Sequence, residues 1–264
     1  MSRGKLLAIV VAITLVLGIT PSLWAAEVPR HETLIVDVLT GRIANPANFN
    51  AWATWVGNDK GLQQLVYDPL WIAEYATGEI ISVLASDLPV YNDDFTQMTV
   101  KLRPGIHWSD GVEFTADDVV YTVELLKNTR GMFYHTEFNL AVDKVYKTGD
   151  YTVVFDLKKP HSRFHGYFLD RWGACRIFPK HIWEKVEDPL SYECYPPIGT
   201  GPYVLKDYDV GGYWFIYEKR DDWDKTATGI LFGEPKPKYV QFMYYGGAEK
   251  RVMAQAQHQL DMAD

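Results

Sequence analysis

Apolar and polar residues alternate along several short stretches of the chain, with the period of two that is typical of half-buried β-strands. Between residues 98 and 102, Met, Val and Leu alternate with Thr and Lys. The same period recurs at residues 153–157, 213–217 and 240–244, and an apolar run at residues 33–38 predicts a further strand. The chain therefore contributes strands from its beginning, its middle and its end.

Helical periodicity is strongest after Thr115. Thr115 and Asp118 have the spacing of a capping box, in which each residue satisfies a free amide group of the first helical turn. Val119, Val123 and Leu126 then fall on one face of the predicted helix. Helices intermixed with strands predict an α/β fold.

A second helix is predicted at the end of the chain, over residues 248–260. Its core-facing positions are expected to be Val252, Ala256 and Leu260. The chain stops at residues 261–264, where another strand is expected to begin. We therefore expect the 264 residues to be an N-terminal fragment of a longer protein.

Residues 1–26 have the order of a secretory signal peptide. Arg3 and Lys5 precede the apolar run of residues 6–19, Pro21 interrupts it, and small residues follow at 25–26. The run is shorter than the roughly 20 residues that span a bilayer, although a permanent membrane anchor is the alternative. The sequence thus predicts a periplasmic or extracellular protein.

The charge of the chain is acidic. Removing the signal takes away Arg3 and Lys5 but no acidic residue, so the formal net charge falls from −8 to −10. The chain has no run of lysines or arginines. Nucleic acid and anionic lipid are therefore not expected as partners.

Cys175 and Cys194 are the only cysteines. In an oxidising compartment such a pair is expected to form a disulfide, which would stabilise the fold by roughly 3 kcal/mol. Neither cysteine belongs to a Cys-x-x-Cys pair, so a metal site is not favoured.

Residues that could carry catalysis do not form a recognisable set. The acidic pairs at residues 93–94, 117–118 and 221–222 lie at expected turns or helix starts, where Asp is common for local hydrogen bonding. His161 and His165 share the spacing of a helix face, but no Glu lies between them. No nucleophile elbow and no phosphate-binding loop is present. The sequence predicts a protein that is not an enzyme and uses no cofactor.

Aromatic residues are abundant, with 9 Trp, 17 Tyr and 12 Phe. Asn50, Trp52 and Trp55 lie together in a polar loop after the first predicted strand. Flat aromatic faces beside an amide suit the binding of a sugar ring or a side chain. The alternative is that both tryptophans pack beneath the loop.

The longest motif of the chain resembles the signature of the extracellular solute-binding proteins of family 5, the receptors of ABC importers for oligopeptides, dipeptides and nickel. It runs over residues 101–111 and continues at residues 114–119. The resemblance extends over residues 33–264. Further elements in the order of that family occur at Val153–Pro160, Phe178–Ile182, Pro197–Tyr203, Glu218–Trp223 and Leu260–Ala263.

The resemblance implies an α/β periplasmic-binding-protein fold of type II, with two lobes, a hinge and an extra small domain. It implies a monomeric receptor that hands its ligand to the permease subunits of an ABC transporter, with a second lobe beyond residue 264. The implied divisions are 1–26 for the signal peptide, 27–66 for the start of the first lobe, 67–173 for the small middle domain and 174–264 for the return to the first lobe.

The resemblance also implies ligand contacts. The loop after the first strand contributes Asn50, Trp52 and Trp55, the segment before residue 178 contributes Trp172, and Tyr134 is a further candidate. Peptide receptors of the family use smaller or charged residues at such positions, so the tryptophans favour an oligosaccharide, with an oligopeptide as the alternative. A secreted carbohydrate-active enzyme is the rival interpretation.

Overall fold

The computed structural model describes residues 28–38, 40–53, 60–170 and 173–263. The predicted signal peptide, Trp55 and Trp172 lie outside the described residues. In the part of the chain that is described, no helix is both long and apolar enough to cross a membrane.

Strands come from every third of the described chain, whereas the helices are short except for the one at Ala116–Asn128. A π-helical turn, Leu62–Val66, lies between the first two strands. The helices are α1 (Ala116–Asn128), α2 (His135–Ala141), α3 (Lys180–Trp183), α4 (Ala227–Phe232) and α5 (Ala248–Ala256). The strands are β1 (Thr33–Asp37), β2 (Trp71–Ala73), β3 (Ile80–Ser82), β4 (Val90–Tyr91), β5 (Gln97–Lys101), β6 (Val142–Gly149), β7 (Thr152–Leu157), β8 (Leu169–Asp170), β9 (Tyr203–Tyr208), β10 (Trp214–Lys219) and β11 (Tyr239–Met243).

These strands form three sheets. Sheet I has the order β1-β11-β10-β9, with β1 parallel to β11 and the other pairs antiparallel. Sheet II has the order β3-β2-β8, and sheet III has the order β4-β5-β7-β6. Sheet I thus joins the two ends of the described chain, while sheets II and III come from its middle. The domain boundaries at residues 66 and 173 stay a prediction.

The strands and the first helix predicted from periodicity are confirmed. All five predicted strands are present, as β1, β5, β7, β10 and β11. At the start of α1, the Asp118 carboxylate accepts a hydrogen bond from the Thr115 backbone N–H at 2.9 Å. Val119, Val123 and Leu126 are fully buried. Local hydrogen bonding and one apolar face were sufficient to define this helix.

The prediction for the last helix is wrong in its length and in its buried face. α5 ends at Ala256, and Val252 is 64% exposed. Ala254 and Leu260 instead pack against Ile35 of β1 in a small apolar cluster. The helix packs on sheet I through Ala254, and Leu260 joins the same cluster from the segment after the helix.

Arg220 connects the loops that carry the family-like motifs. Its guanidinium donates to the backbone carbonyls of residues 107, 108, 199 and 201 at 3.2–3.4 Å. Asp222 accepts from Nε and Nη2 at 2.9 Å each. Arg220 is only 4% exposed. The motif around Asp110 and the glycine-rich motif at residues 199–201 are therefore held together by one buried cation.

The glycine-rich motif lies directly on the π-helical turn. A Cβ atom at Gly199 would stand 1.9 Å from the Val66 carbonyl oxygen, and one at Gly201 would stand 2.4 Å from the Leu65 carbonyl oxygen. The Gly201 N–H donates to the Val66 carbonyl at 2.8 Å. Only glycine allows this close approach of two backbones.

The predicted disulfide is absent from the structure. Cys175 and Cys194 are both free and buried. The Cys194 sulfur contacts the Tyr67 hydroxyl at 3.8 Å, and the Cys175 thiol donates to the carbonyl of Arg176 at 3.7 Å. Each thiol therefore has its own polar neighbour, and the prediction of a Cys175–Cys194 bridge is corrected.

Candidate functional site

Three segments that are distant in sequence meet beside α2. The backbone carbonyl of Trp52 accepts from the Phe133 N–H at 2.8 Å, and the Trp52 indole Nε1–H donates to the Arg176 carbonyl at 2.8 Å. We call this place the junction site and define it by Asn50, Trp52, Tyr134, Asp170 and Arg176. It brings together three of the residues predicted from the sequence, with residues 54–59 and 171–172 outside the described chain.

Asn50 is fully buried and holds its own loop together. Its side-chain amide donates to the carbonyls of Pro189 and Tyr192 at 2.9 and 3.0 Å. Its side-chain oxygen accepts from the backbone N–H groups of Trp52 and Ala53 at 3.1 Å each. These bonds use the amide in the folded chain, which corrects the prediction that Asn50 contacts a ligand.

Trp52 is a core residue, with only 2% of its surface exposed. Its ring stacks on Phe178 with centroids 4.2 Å apart, and Trp183 meets it edge-on at 5.3 Å. Tyr67 packs on it at 4.9 Å. Neither face of the indole is open to a ligand, so the predicted contact is corrected in favour of packing beneath the loop.

Tyr134 is half-buried at the junction site and begins α2 with a left-handed backbone, φ 64°. Its ring stacks on Phe138 at 5.7 Å and meets Tyr167 edge-on at 6.2 Å. Burial raises the pKa of its hydroxyl above the ordinary value, so the group stays a neutral donor and acceptor. Its contact with a ligand stays a prediction.

Arg176 is the cationic residue of the junction site, and no sequence motif indicated it. It is 2% exposed, and its Nη2 donates to the Asp170 carboxylate at 2.5 Å and to the Gln63 carbonyl at 3.2 Å. Its Nε and Nη1 are buried without a hydrogen-bond partner in the described part of the chain. A guanidinium stays charged in proteins, so these free donors favour a carbonyl or an anionic group as a partner.

Asp68 lies in the same polar interior. One carboxylate oxygen accepts from the Thr228 hydroxyl at 2.7 Å, and the other is buried with no hydrogen-bond partner in the regions that the structure describes. Burial raises the pKa of Asp68 to about 6, although the hydrogen bonds from Thr228 and the charges of Arg176 and Arg220 act in the opposite direction. Among the described residues, no group of three or more His, Cys, Asp or Glu could hold a metal ion.

A second feature lies at the edge of sheet I where the parallel strands β1 and β11 end. Ligands of open α/β sheets bind outside the carboxyl ends of such strands. Here the Arg42 guanidinium lies 5.7 Å from the centroid of the Tyr213 ring and donates to the Gly211 carbonyl at 3.0 Å. Tyr244 lies 6.5 Å from Tyr213, with the rings 27° apart. These partly exposed rings form an aromatic edge that the sequence analysis missed.

A largely apolar pocket of about 520 Å³ opens on one face of sheet I. Leu34 and Val36 of β1 and Val240 and Phe242 of β11 form its floor. Leu65 of the π-helical turn lies along its side. Of the predicted ligand residues that the structure describes, Asn50, Trp52 and Tyr134, none lines this pocket, so it is separate from the junction site.

Comparison with known proteins links this architecture to transport receptors. The family model described as "Bacterial extracellular solute-binding proteins, family 5 Middle" matches residues 79–264. The oligopeptide-binding protein AppA of Bacillus subtilis is 29% identical over 196 residues, which are 71% of this chain and 34% of that protein. The chain therefore spans about a third of this curated relative.

Solved structures share the fold. The periplasmic oligopeptide-binding protein of Thermotoga maritima with bound mannohexaose matches with a TM-score of 0.76 and 25% identity, over 90% of this chain and 42% of that chain. AppA of Bacillus subtilis in complex with a nonapeptide matches with a TM-score of 0.69 and 25% identity, over 88% of this chain and 44% of that chain. The prediction of a type II periplasmic-binding-protein fold is confirmed.

Proposed function

This chain belongs to family 5 of the bacterial extracellular solute-binding proteins, and we propose that it serves as a solute receptor for an ABC importer. The observation that carries the proposal is the family match over residues 79–264, joined to a shared fold over 90% of the chain. In this proposal the protein acts outside the cytoplasmic membrane as a monomer. It passes its solute to the permease subunits and catalyses no reaction.

An oligopeptide is the solute that these observations favour. AppA of Bacillus subtilis is named as an oligopeptide-binding protein, and its structure holds a nonapeptide. The burial of Trp52 removes one of the aromatic faces on which an oligosaccharide preference rested. The free donors of Arg176 suit peptide carbonyls or a carboxylate, because Nε and Nη1 have no hydrogen-bond acceptor among the described residues.

An oligosaccharide is the second candidate. The structure from Thermotoga maritima holds mannohexaose. In this chain the Tyr213 and Tyr244 rings at the edge of sheet I offer stacking surfaces of the kind that suits a sugar ring. Trp55 and Trp172 remain proposed ligand contacts for either solute.

Calorimetric titration of the full-length protein that contains this chain tests the proposal, with nona-alanine and mannohexaose as probes. We expect heat of binding with nona-alanine and unchanged probes by mass spectrometry after prolonged incubation. New products would support the rival carbohydrate-active enzyme. Binding of mannohexaose alone would select the second candidate, and binding of neither probe would contradict both solute assignments.

A matched pair of variants locates the site. Tyr134→Phe keeps the ring contacts with Phe138 and Tyr167 but removes the hydroxyl, so we expect nona-alanine to bind about fivefold more weakly, the effect of losing one ordinary hydrogen bond. Tyr146→Phe is the control, because Tyr146 is 38% exposed on β6 in sheet III. Equal affinities of the two variants for nona-alanine would contradict a contact between the Tyr134 hydroxyl and the peptide, and with it the placement of the binding site at the junction site.

A further inference from the structure

Arg176 is held through both its side chain and its backbone. Its Nη2 donates to the Asp170 carboxylate at 2.5 Å and to the Gln63 carbonyl at 3.2 Å. Its own carbonyl accepts from the Trp52 indole N–H at 2.8 Å. The guanidinium therefore has a fixed place between β8, the π-helical turn and the loop that contains Trp52.

The remaining donors of this guanidinium lack acceptors. Nε and Nη1 of Arg176 are buried, and neither has a hydrogen-bond partner among the described residues. Because a buried donor without an acceptor costs free energy, both groups favour an oxygen atom supplied by a bound molecule. A neutral carbonyl and a carboxylate can each supply that oxygen. The hydrogen-bond pattern alone therefore does not select between them.

The charges around Arg176 do select between them. Arg176 pairs with Asp170 at 2.5 Å, and Arg220 pairs with Asp222 at 2.9 Å. Asp68 lies within electrostatic reach of both cations: burial raises its pKa to about 6, and the charges of Arg176 and Arg220 oppose that rise. Among these described residues, three carboxylates thus face two cations at neutral pH. The site holds no positive charge that is left for an incoming anion.

A carboxylate brought to Arg176 would meet the like charges of Asp170 and Asp68. Burying a further charge is favourable only when an unpaired opposite charge can receive it. A neutral carbonyl oxygen can accept from Nε or Nη1 of Arg176 without adding a charge. The Arg176–Asp170 pair is therefore suited to a neutral oxygen, such as that of a peptide carbonyl.

Solvent reaches this pair from the side of Asp170. The Asp170 side chain is 29% exposed, whereas that of Arg176 is 2% exposed. Tyr134 lies within electrostatic reach of both. Burial raises the pKa of the Tyr134 hydroxyl, and the charges of Glu137 and Asp170 act in the same direction. A solute that approaches Arg176 from this side meets negative charge and a neutral hydroxyl.

We propose that Asp170 is a positioning residue that sets the specificity of Arg176: by neutralising the guanidinium, it makes the junction site select a neutral carbonyl oxygen of the solute and reject a carboxylate. This inference rests on the proposed function, because it concerns the solute that binds at the junction site. It adds the charge state of the solute group that Arg176 contacts.

Peptides that differ in a single charge test this selection. Two series are made from C-terminally amidated nona-alanine, with Glu or Gln placed at each position in turn, because these side chains share their shape and differ in charge. The full-length protein that contains this chain is titrated with each peptide by calorimetry. At the position that meets Arg176, we expect the Gln peptide to bind on the order of tenfold more tightly than the Glu peptide.

Variants of Asp170 assign this preference to the ion pair. Asp170→Asn keeps an oxygen that can accept from Nη2 but leaves the charge of Arg176 unpaired, so the preference for Gln should fall about tenfold at that position. Asp170→Glu keeps the charge and should keep the preference. Asp93→Asn is the control, because Asp93 is exposed between β4 and β5 and its replacement changes the net charge equally.

The outcomes separate the inference from the proposed function. A preference for Gln that is equal in Asp170→Asn and Asp93→Asn would overturn the inference and leave the receptor function intact. Glu peptides that bind the unaltered protein as tightly as their Gln partners at every position would do the same, and this comparison needs no variant to fold. Absence of binding by every peptide would overturn the proposed function, and the inference with it.

Discussion

Replacing Arg220 with Met tests how strongly one cation holds the motif loops together. Methionine keeps much of the volume but removes every donor. The backbone carbonyls of residues 107, 108, 199 and 201 then lose a hydrogen bond, and Asp222 loses both contacts at 2.9 Å. Two of these carbonyls keep another donor, since the N–H of Gly111 reaches residue 108 and that of Ser109 reaches residue 199.

The expected cost is about 2–5 kcal/mol in the free energy of unfolding, because the carbonyls of residues 107 and 201 lose the Arg220 donor, at roughly 1–3 kcal/mol for each carbonyl left unpaired. The ion pair adds little, because the Asp222 side chain is 36% exposed and its charge can be solvated once Arg220 is gone. Arg220→Lys should lower the free energy of unfolding by less than Arg220→Met, because lysine keeps the positive charge. Some loss should remain, because lysine cannot reach both loops at once.

Urea unfolding followed by tryptophan fluorescence and circular dichroism measures this effect. Arg163→Met is the control, because Arg163 is exposed, and it should change the free energy of unfolding by less than about 0.5 kcal/mol. The reasoning would be refuted if the free energy of unfolding of Arg220→Met lay within about 1 kcal/mol of that of the control and its dependence on urea concentration were unchanged. It would mean that the two loops keep their contact without the cation.

Three further predictions concern the loops and the core. Gly201→Ala should lower the free energy of unfolding in urea by at least about 2 kcal/mol, because the added Cβ meets the Leu65 carbonyl. Gly149→Ala is the control and should be near neutral, because its Cβ enters open space. Equal effects of the two variants would contradict the close approach of the backbones. Trp52→Ala should lower the free energy of unfolding by about 3–5 kcal/mol, as for other buried aromatics, and a loss below 1 kcal/mol would return Trp52 to the list of ligand contacts. Thiol titration of the unfolded, unreduced protein should find two free thiols. The folded protein should react slowly, because burial raises the pKa of Cys194 to about 12. Finding no free thiol in the unfolded protein would support the disulfide instead.

The parts of the fold that depend on local patterns could be predicted from the sequence. The capping box at Thr115 acts within one helical turn, and the alternation along β5 reports a sheet with one buried face. The buried face of α5 could not be predicted in the same way. Its contact with Ile35 depends on a strand from the opposite end of the chain, and that contact selects Ala254 over Val252.

The site was harder to predict because polar loop residues can satisfy one another. Trp52 stands in a polar loop, yet its indole N–H finds the carbonyl of Arg176, and Asn50 bonds to residues 189 and 192. Nothing in the sequence near Trp52 indicates these distant acceptors. Arg176 and Lys60 belong to no motif. What marks them is visible only in the structure, where Arg176 has buried donors without a described acceptor and the buried Lys60 ammonium donates to backbone carbonyls.

The parallel pairing of β1 with β11 also sets an order in time. Thr33 pairs with Tyr239, so about 200 residues must leave the ribosome before β1 can meet its neighbour in sheet I. At 5–20 residues per second, that delay is on the order of 10–40 s. Sheets II and III are complete in the sequence by Asp170, well before β11 exists. The first strand of the chain thus remains without its neighbour β11 during that interval of synthesis.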